Sequence, residues 1–277
     1  MLFTLNCNGR LFTKERPFVM GILNVTPDSF YTKGRNNSVQ EHIDKAGEML
    51  EQGAAILDIG GMSTRPGAEV ITEETEQDRV LPVIEGVHKH FPDSFISVDT
   101  YRASVARNAV RSGACIVNDI SAGEMDDEML SAVAMLNVPY IVTHMQGTPE
   151  TMQQKPEYGD ISAEVLDYFI LKIKQCGEAG IKDIILDPGF GFGKTIAHNY
   201  SLLKNLHVFN ILKRPILAGI SRKSMVHKPL NSDAEHALNG TTALHVLALQ
   251  QGASILRVHD VKEARECIEL FCYYQTI

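Results

Sequence analysis

Only five of the 277 residues are cysteine (Cys7, Cys115, Cys176, Cys267 and Cys272), and no two of them form a CxxC pair. An odd, scattered set excludes a disulfide framework and suits reduced, mostly buried thiols in a cytoplasmic protein. Basic residues are in the minority, 26 Lys and Arg against 34 Asp and Glu, for a net charge of −8. That balance argues against nucleic acid or an anionic membrane as partner, so any anionic ligand must be held by a few local cations. No apolar run approaches the roughly 18 residues that span a bilayer. The first residues lack a basic stretch followed by a long apolar core, so no signal peptide is expected. Linkers and low-complexity stretches are missing too, and one domain over residues 1–277 is the expectation.

What is present is a repeat. With 44% hydrophobic and 22% charged residues there is material for a large core. Eight short apolar runs read as parallel strands covered on both faces: Phe18–Asn24, Ala54–Gly61, Phe95–Thr100, Cys115–Ile120, Pro139–Met145, Asp183–Gly189, Pro215–Ser221 and Ile255–Asp260. Helical periodicity fills the gaps, as where Val39, Ile43, Ala46 and Leu50 keep to one face. Ser38 with Glu41, and Ser232 with Glu235, have the spacing of capping boxes and predict two helix starts. Gly53-Ala-Ala-Ile, Gly113-Ala-Cys-Ile and Gly252-Ala-Ser-Ile repeat one helix-stop, strand-start device, and Gly180-Ile-Lys-Asp-Ile is a looser copy. A βα unit of about 35 residues, repeated eight times, predicts a (β/α)8 TIM barrel rather than an open doubly wound sheet. Asn8-Gly9 between two apolar stretches predicts a short N-terminal β-hairpin closing the barrel bottom.

The connections are asymmetric. Helix-to-strand joins are short, whereas 25–37, 62–72, 146–159 and 222–231 are long and follow strands, the face on which a barrel builds its site. Polar residues recur there: Asn24, Asp58, Asp99, Asn118, His144, Asp187, Arg222 with Lys223, and Arg257 with His259. Asp58, Asn118 and Arg257 each lie five positions after a repeat glycine, hence at equal depth. One such residue could be a satisfied buried polar group, but the whole set points to a shared mouth. Ser221-Arg222-Lys223-Ser224 after strand seven and Arg257-Val258-His259 ending strand eight lie where this fold commonly binds phosphate. Asp187-Pro-Gly-Phe-Gly-Phe-Gly-Lys-Thr195 is not a P-loop, because Pro188 occupies the first glycine position of that motif. It reads instead as a glycine-rich turn that presents Asp187 and lays Phe190 or Phe192 beside a flat ring. Asp99, Asn118 and Asp187 suit an edge of ring nitrogens and an amino group. Asn24, with Asp28 nearby, could place one oxygen on Mg²⁺. No Ser-His-Asp arrangement and no zinc-ligand spacing can be argued.

Eight motifs in order then carry a resemblance. Met20-Gly-Ile-Leu-Asn-Val-Thr-Pro-Asp-Ser-Phe30, Asp58-Ile-Gly-Gly-Met-Ser-Thr-Arg-Pro-Gly67, Ser97-Val-Asp-Thr100, Asn118-Asp119-Ile120, His144-Met-Gln-Gly147, Asp187-Pro-Gly-Phe-Gly-Phe-Gly193, Ser221-Arg-Lys-Ser224 and Arg257-Val-His259 resemble the dihydropteroate synthase family. The resemblance implies condensation of a dihydropterin hydroxymethyl diphosphate with 4-aminobenzoate, with Mg²⁺ as cofactor and a homodimer as assembly. It implies Asn24 as the metal ligand and Asp99, Asn118, Asp187 and Lys223 as pterin-ring contacts. Thr64, Arg65 and Pro66 would help enclose 4-aminobenzoate, with Phe192 and Ser224 on its other side. Arg257 and His259 would hold the diphosphate, and Lys223, Arg257, His259 and Asp99 would carry the reaction. On this reading Arg257 does little for a pterin that lacks the diphosphate.

Two departures stand out. Tyr31-Thr-Lys-Gly-Arg35 replaces a stretch that usually carries Asp-Gly-Gly, and Met62 stands where glutamate is usual. The rival reading is a pterin-dependent methyltransferase acting on a corrinoid protein. It needs the ring contacts but no diphosphate anchor.

Overall fold

In the computed structural model, residues 3–26, 39–62, 70–148, 151–152 and 156–277 are described. The hairpin forms as the Asn8-Gly9 signal predicts: β1 (Phe3–Cys7) pairs antiparallel with β2 (Arg10–Lys14). Asn8 and Gly9 have φ of 53° and 85°, the left-handed pair that a two-residue turn requires.

Eight parallel strands follow, alternating with helices. In chain order they are β3 (Phe18–Asn24), α1 (Val39–Gln52), β4 (Ala54–Gly60), α2 (Glu73–His90), β5 (Ile96–Asp99), α3 (Ala103–Arg111), β6 (Ile116–Asp119) and α4 (Met129–Leu136). Then come β7 (Tyr140–Thr143), α5 (Ile161–Ala179), β8 (Ile184–Asp187), α6 (Ile196–Lys204), β9 (Leu217–Ala218), α7 (Ser224–His227), α8 (Leu238–Gln250), β10 (Ile255–Val258) and α9 (Val261–Tyr274). The strand order is β8-β7-β6-β5-β4-β3-β10-β9. A parallel bridge between Leu186 and Ile216, with Leu186 N–H donating to Pro215 O at 2.9 Å, closes the ring. Each predicted run contains its strand, so the (β/α)8 barrel stands.

Helix ends follow their local chemistry. Thr72 caps α2, Asp160 caps α5, and Thr195 with His198 forms a capping box on α6. Ser38 lies outside the described residues. The second predicted capping box is a correction: Asp233 Oδ1 accepts from the N–H groups of Glu235 and His236, both at 3.0 Å. This local turn delays the helix, and α8 starts at Leu238 with no side-chain cap. A carboxylate one residue after Ser232 outcompetes its hydroxyl for those donors.

Strand period 2 sorts the interior into floor and mouth. Met20, Ile56, Ile116, Ile141, Ile185, Leu217 and Ile255 point into the barrel and pack with Leu5, Phe12 and Phe18 beneath the hairpin. Two residues further along the same inward faces stand Asp58, Asn118, Asp187 and Arg257. The apolar floor and the polar mouth are therefore successive rungs of one face. The larger core lies outside, between the strands and the helix ring.

Candidate active site

The inward rung of β4, β5, β6 and β10 is tied across the barrel. Arg257 donates from Nε to Asp58 Oδ2 and from Nη2 to Asp99 Oδ2, each at 2.6 Å. Asn118 Nδ2 donates to the same Asp58 oxygen at 2.9 Å. The equal depth argued for Asp58, Asn118 and Arg257 is thus realised as direct contact. Asp58 is fully buried, and its Oδ1 has no hydrogen-bond partner among the described residues. It was recognisable as a strand-end carboxylate yet absent from the expected site set; its place five residues after Gly53 was the available signal.

A second group gathers on β8 and β9. Asp187 Oδ1 accepts from Gly189 N–H at 2.8 Å. The Lys223 ammonium donates to the Phe190 carbonyl and lies 4.4 Å from the centroid of the Phe192 ring. A Cβ added at Gly219 would lie 3.8 Å from both Asp187 Oδ2 and Lys223 Nζ, so both charges face one spot. Phe190 is fully buried, which leaves Phe192 as the ring available to a ligand. Arg257 acts electrostatically on both Asp187 and Lys223, so the two groups share one mouth. His259 Nδ1 is 3.1 Å from Ser221 Oγ, which also accepts from the His259 backbone N–H at 3.3 Å. Asn24 ends β3 half-buried opposite Gly60, and Ser224 opens α7. Thr64, Arg65 and Pro66, like Asp28, Lys33 and Arg35, lie outside the described residues. At the edge of that segment, Tyr101 O–H contacts the Met62 sulfur at 3.6 Å.

Two strand-end residues do not join the mouth. Arg222, in the left-handed region at φ 58°, makes a two-point ion pair with Asp260 at 2.9 and 2.6 Å, and donates to the Ala234 and Glu235 carbonyls. His144 packs edge-on against Tyr168 with centroids 4.8 Å apart, and its Nδ1 lies 2.9 Å from Lys194 Nζ. Burial pushes the His144 pKa down to about 3, so the ring is neutral and Nδ1 accepts.

Lys194 supports the glycine-rich turn from beneath. Its buried ammonium donates to the carbonyls of His144, Gly189 and Phe192 at 3.2, 3.0 and 3.0 Å. The turn presses on its neighbour so closely that a Cβ at Gly189, where φ is +69°, would sit 1.9 Å from the His144 oxygen. Lys194 is therefore turned inward to protein carbonyls, as the rejection of a P-loop requires.

Charge is concentrated here under desolvation. Burial raises the Asp99 pKa to about 7, against the pull of Arg257 and with help from the neighbouring Asp58. Burial also raises Asp187, opposed by Lys223, and lowers Lys223 to about 8. An acceptor that ionises near 7 and a cation that discharges near 8 predict a bell-shaped pH dependence of kcat/KM with a narrow top. The acid limb should flatten in Asp99→Asn while the alkaline limb remains. Parallel limbs in both proteins would remove Asp99 from the titration.

Such a mouth, with acceptors for a ring edge set beside cations for an anion, defines a barrel enzyme that binds a flat heterocycle carrying negative charge. The pterin-binding enzyme family matches residues 20–259. The dihydropteroate synthase of Escherichia coli K12 is 46% identical over 268 residues, covering 96% of this chain and 94% of that protein. Dihydropteroate synthase of Xanthomonas albilineans with 4-aminobenzoic acid superposes with a TM-score of 0.94 at 40% identity, covering 100% of both chains. The same enzyme in complex with 7,8-dihydropteroate gives 0.90 at 38% identity, covering 99% of this chain and 100% of that one. The chain belongs to the pterin-binding enzymes and, within them, to the dihydropteroate synthase family of transferases. Among the described residues no helix is long and apolar enough to cross a membrane.

Proposed function

We propose that this chain condenses 6-hydroxymethyl-7,8-dihydropterin diphosphate with 4-aminobenzoate, giving 7,8-dihydropteroate and diphosphate. The observation that carries this reading is the joining of ring acceptors to anion-binding cations at one mouth, through Arg257. Asp99, Asn118 and Asp187 take the donors of the pterin edge, and Lys223 closes the ring from the β9 side. The pterin C–O bond breaks first, and diphosphate leaves with the electron pair. Arg257 and His259 hold the growing negative charge, with Ser221 orienting His259 through Nδ1. The arylamine nitrogen attacks the resulting carbocation and then loses its proton to solvent. Phe192 and Ser224, with Thr64, Arg65 and Pro66, enclose the second substrate. This chemistry needs leaving-group stabilisation and exclusion of water more than a strong base.

Among the described residues no cluster of His, Cys, Asp or Glu forms a metal site. Mg²⁺ nevertheless fits the donor chemistry, because it takes one or two protein oxygens and otherwise phosphate and water. Asn24, at the end of β3, would supply one such oxygen, and the ion would neutralise diphosphate charge. A homodimer and a cytoplasmic location belong to the same reading. The exposed Val246, Leu247, Leu270 and Tyr273 of α8 and α9, and the free state of all five cysteines, support them.

The test is to mix both substrates with Mg²⁺ and follow diphosphate release and the mass of the pterin product. Diphosphate release with appearance of dihydropteroate is expected; no release would overturn the proposal. Asp187→Asn should weaken pterin binding by about 1–3 kcal/mol, because an amide donor would then face a ring donor inside a buried site. That is on the order of 5- to 150-fold in Kd by calorimetry. Unchanged affinity would remove Asp187 from the ring contacts.

A further inference from the structure

The thiols of Cys7 and Cys115 meet at the barrel floor, at the end opposite the active site. Three contacts fix their placement. The backbone N–H of Asn6 donates to Asp183 Oδ2 at 2.7 Å, which seats β1 against the start of β8. The Arg10 guanidinium donates to the carbonyls of Pro92 and Ser94 at 2.6 and 2.8 Å and covers the Phe95 ring, which seats β2 against the start of β5. In the ring of strands β6 and β7 lie between β5 and β8, so the end of β1 lies over the starts of that pair. Cys7 is the last residue of β1 and Cys115 immediately precedes β6. Both belong to the floor cluster, at 1% and 6% exposure, and their sulfurs are within hydrogen-bonding reach of each other.

We propose that Cys7 and Cys115 form an oxidisable dithiol whose disulfide would rivet the N-terminal hairpin to the barrel floor, with a small-molecule disulfide as oxidant. The reaction balances by two exchanges. The thiolate of one cysteine attacks the small disulfide, forming a mixed disulfide and expelling one small thiolate. The second cysteine, losing its proton to solvent, attacks the protein sulfur of that mixed disulfide and expels the other small thiol. While the hairpin is seated, the hydrogen bond from Cys7, helped by the Ile96 backbone and the charge of Arg10, holds the Cys115 thiol below its ordinary pKa; once the hairpin has frayed, the contacts with Cys7 and Arg10 are gone and either thiol makes the first attack. Both sulfurs are covered by the hairpin, so the oxidant enters when the hairpin frays from the barrel. The crosslink would close a long loop, from residue 7 to residue 115, which restricts the unfolded chain strongly.

The experiment treats the full chain with oxidised glutathione, then alkylates, digests and maps peptides by mass. A peptide joining Cys7 to Cys115, two hydrogens lighter than the sum of its parts, is expected, with Cys176, Cys267 and Cys272 still alkylated. The melting temperature should rise by about 5–10 °C and return on treatment with dithiothreitol. Cys7→Ser should show neither change. Alkylation of both Cys7 and Cys115 after prolonged oxidation would overturn the proposal, as would a stable glutathione adduct on either. The peptide map uses the unaltered chain, so the result does not depend on a variant that folds.

Discussion

Arg257→Ala should lower kcat/KM for the pterin diphosphate by on the order of a thousandfold. It should also weaken binding of the uncharged pterin alcohol, by about 5- to 150-fold. The reason is the double tie. Arg257 is the partner of two buried carboxylates, Asp58 and Asp99, each at 2.6 Å. Removing it leaves both uncompensated, which in a buried setting costs roughly 3–5 kcal/mol. Asp99, already raised to about 7 by burial, would then keep its proton to higher pH and lose its value as an acceptor for ring donors. A diphosphate contact adds a further ~1.5–3 kcal/mol that the alcohol does not feel. This revises the sequence-based expectation that Arg257 would matter little to a pterin without diphosphate. Arg257→Lys should recover only part of the loss, because an ammonium cannot span Asp58 and Asp99 as the planar fork does. The measurement is calorimetry with the alcohol beside kinetics with the diphosphate. An unaffected alcohol would mean the tie to Asp99 does nothing for the ring pocket.

Lys194→Met should lower the melting temperature by on the order of 10 °C and weaken pterin binding with it. Methionine fills the space but donates nothing. The carbonyls of His144 and Phe192 and the Nδ1 of His144 would lose their shared donor, while the Gly189 carbonyl would keep the Phe192 N–H at 3.0 Å. Orphaned buried acceptors cost about 1–3 kcal/mol each, less what relaxation recovers. Against this stands the relief of no longer burying an amine, whose pKa burial has already pushed down to about 7. With several acceptors lost against one desolvation regained, destabilisation wins. The glycine-rich turn carries Phe192 and follows Asp187 directly, so its loosening should reach the ring site. Thermal melts and pterin calorimetry on one sample check both effects. Wild-type values in both would show that Lys194 holds nothing that matters.

Much of the fold is legible in the sequence because it depends on near neighbours. Buried parallel strands declare themselves as apolar runs, and Asn8-Gly9 declares a hairpin by its backbone freedom. Strand ends followed by long loops mark the mouth, and the fixed five-residue spacing after a repeat glycine places Asp58, Asn118 and Arg257 there at one depth. The misreadings came from local competition and from distant partners. Asp233, next to Ser232, took the donors that a capping box would have used. Arg222 and Lys223 are adjacent in sequence, yet one is committed to Asp260 and the other stands over Phe192.

By itself, then, the sequence determined the barrel, its hairpin floor, the end at which chemistry is placed and the residue types found there. Each of these rests on periodicity, turn chemistry or motif order within a few residues. Only the tertiary structure decided the pairings. Asp58 and Asp99 meet Arg257 across 199 and 158 residues of chain. Lys194 turns inward to carbonyls that the fold alone brings beneath it. Strand period says which face a side chain occupies; which neighbour it meets around the ring depends on closure, register and desolvation, and those exist only once the barrel has formed.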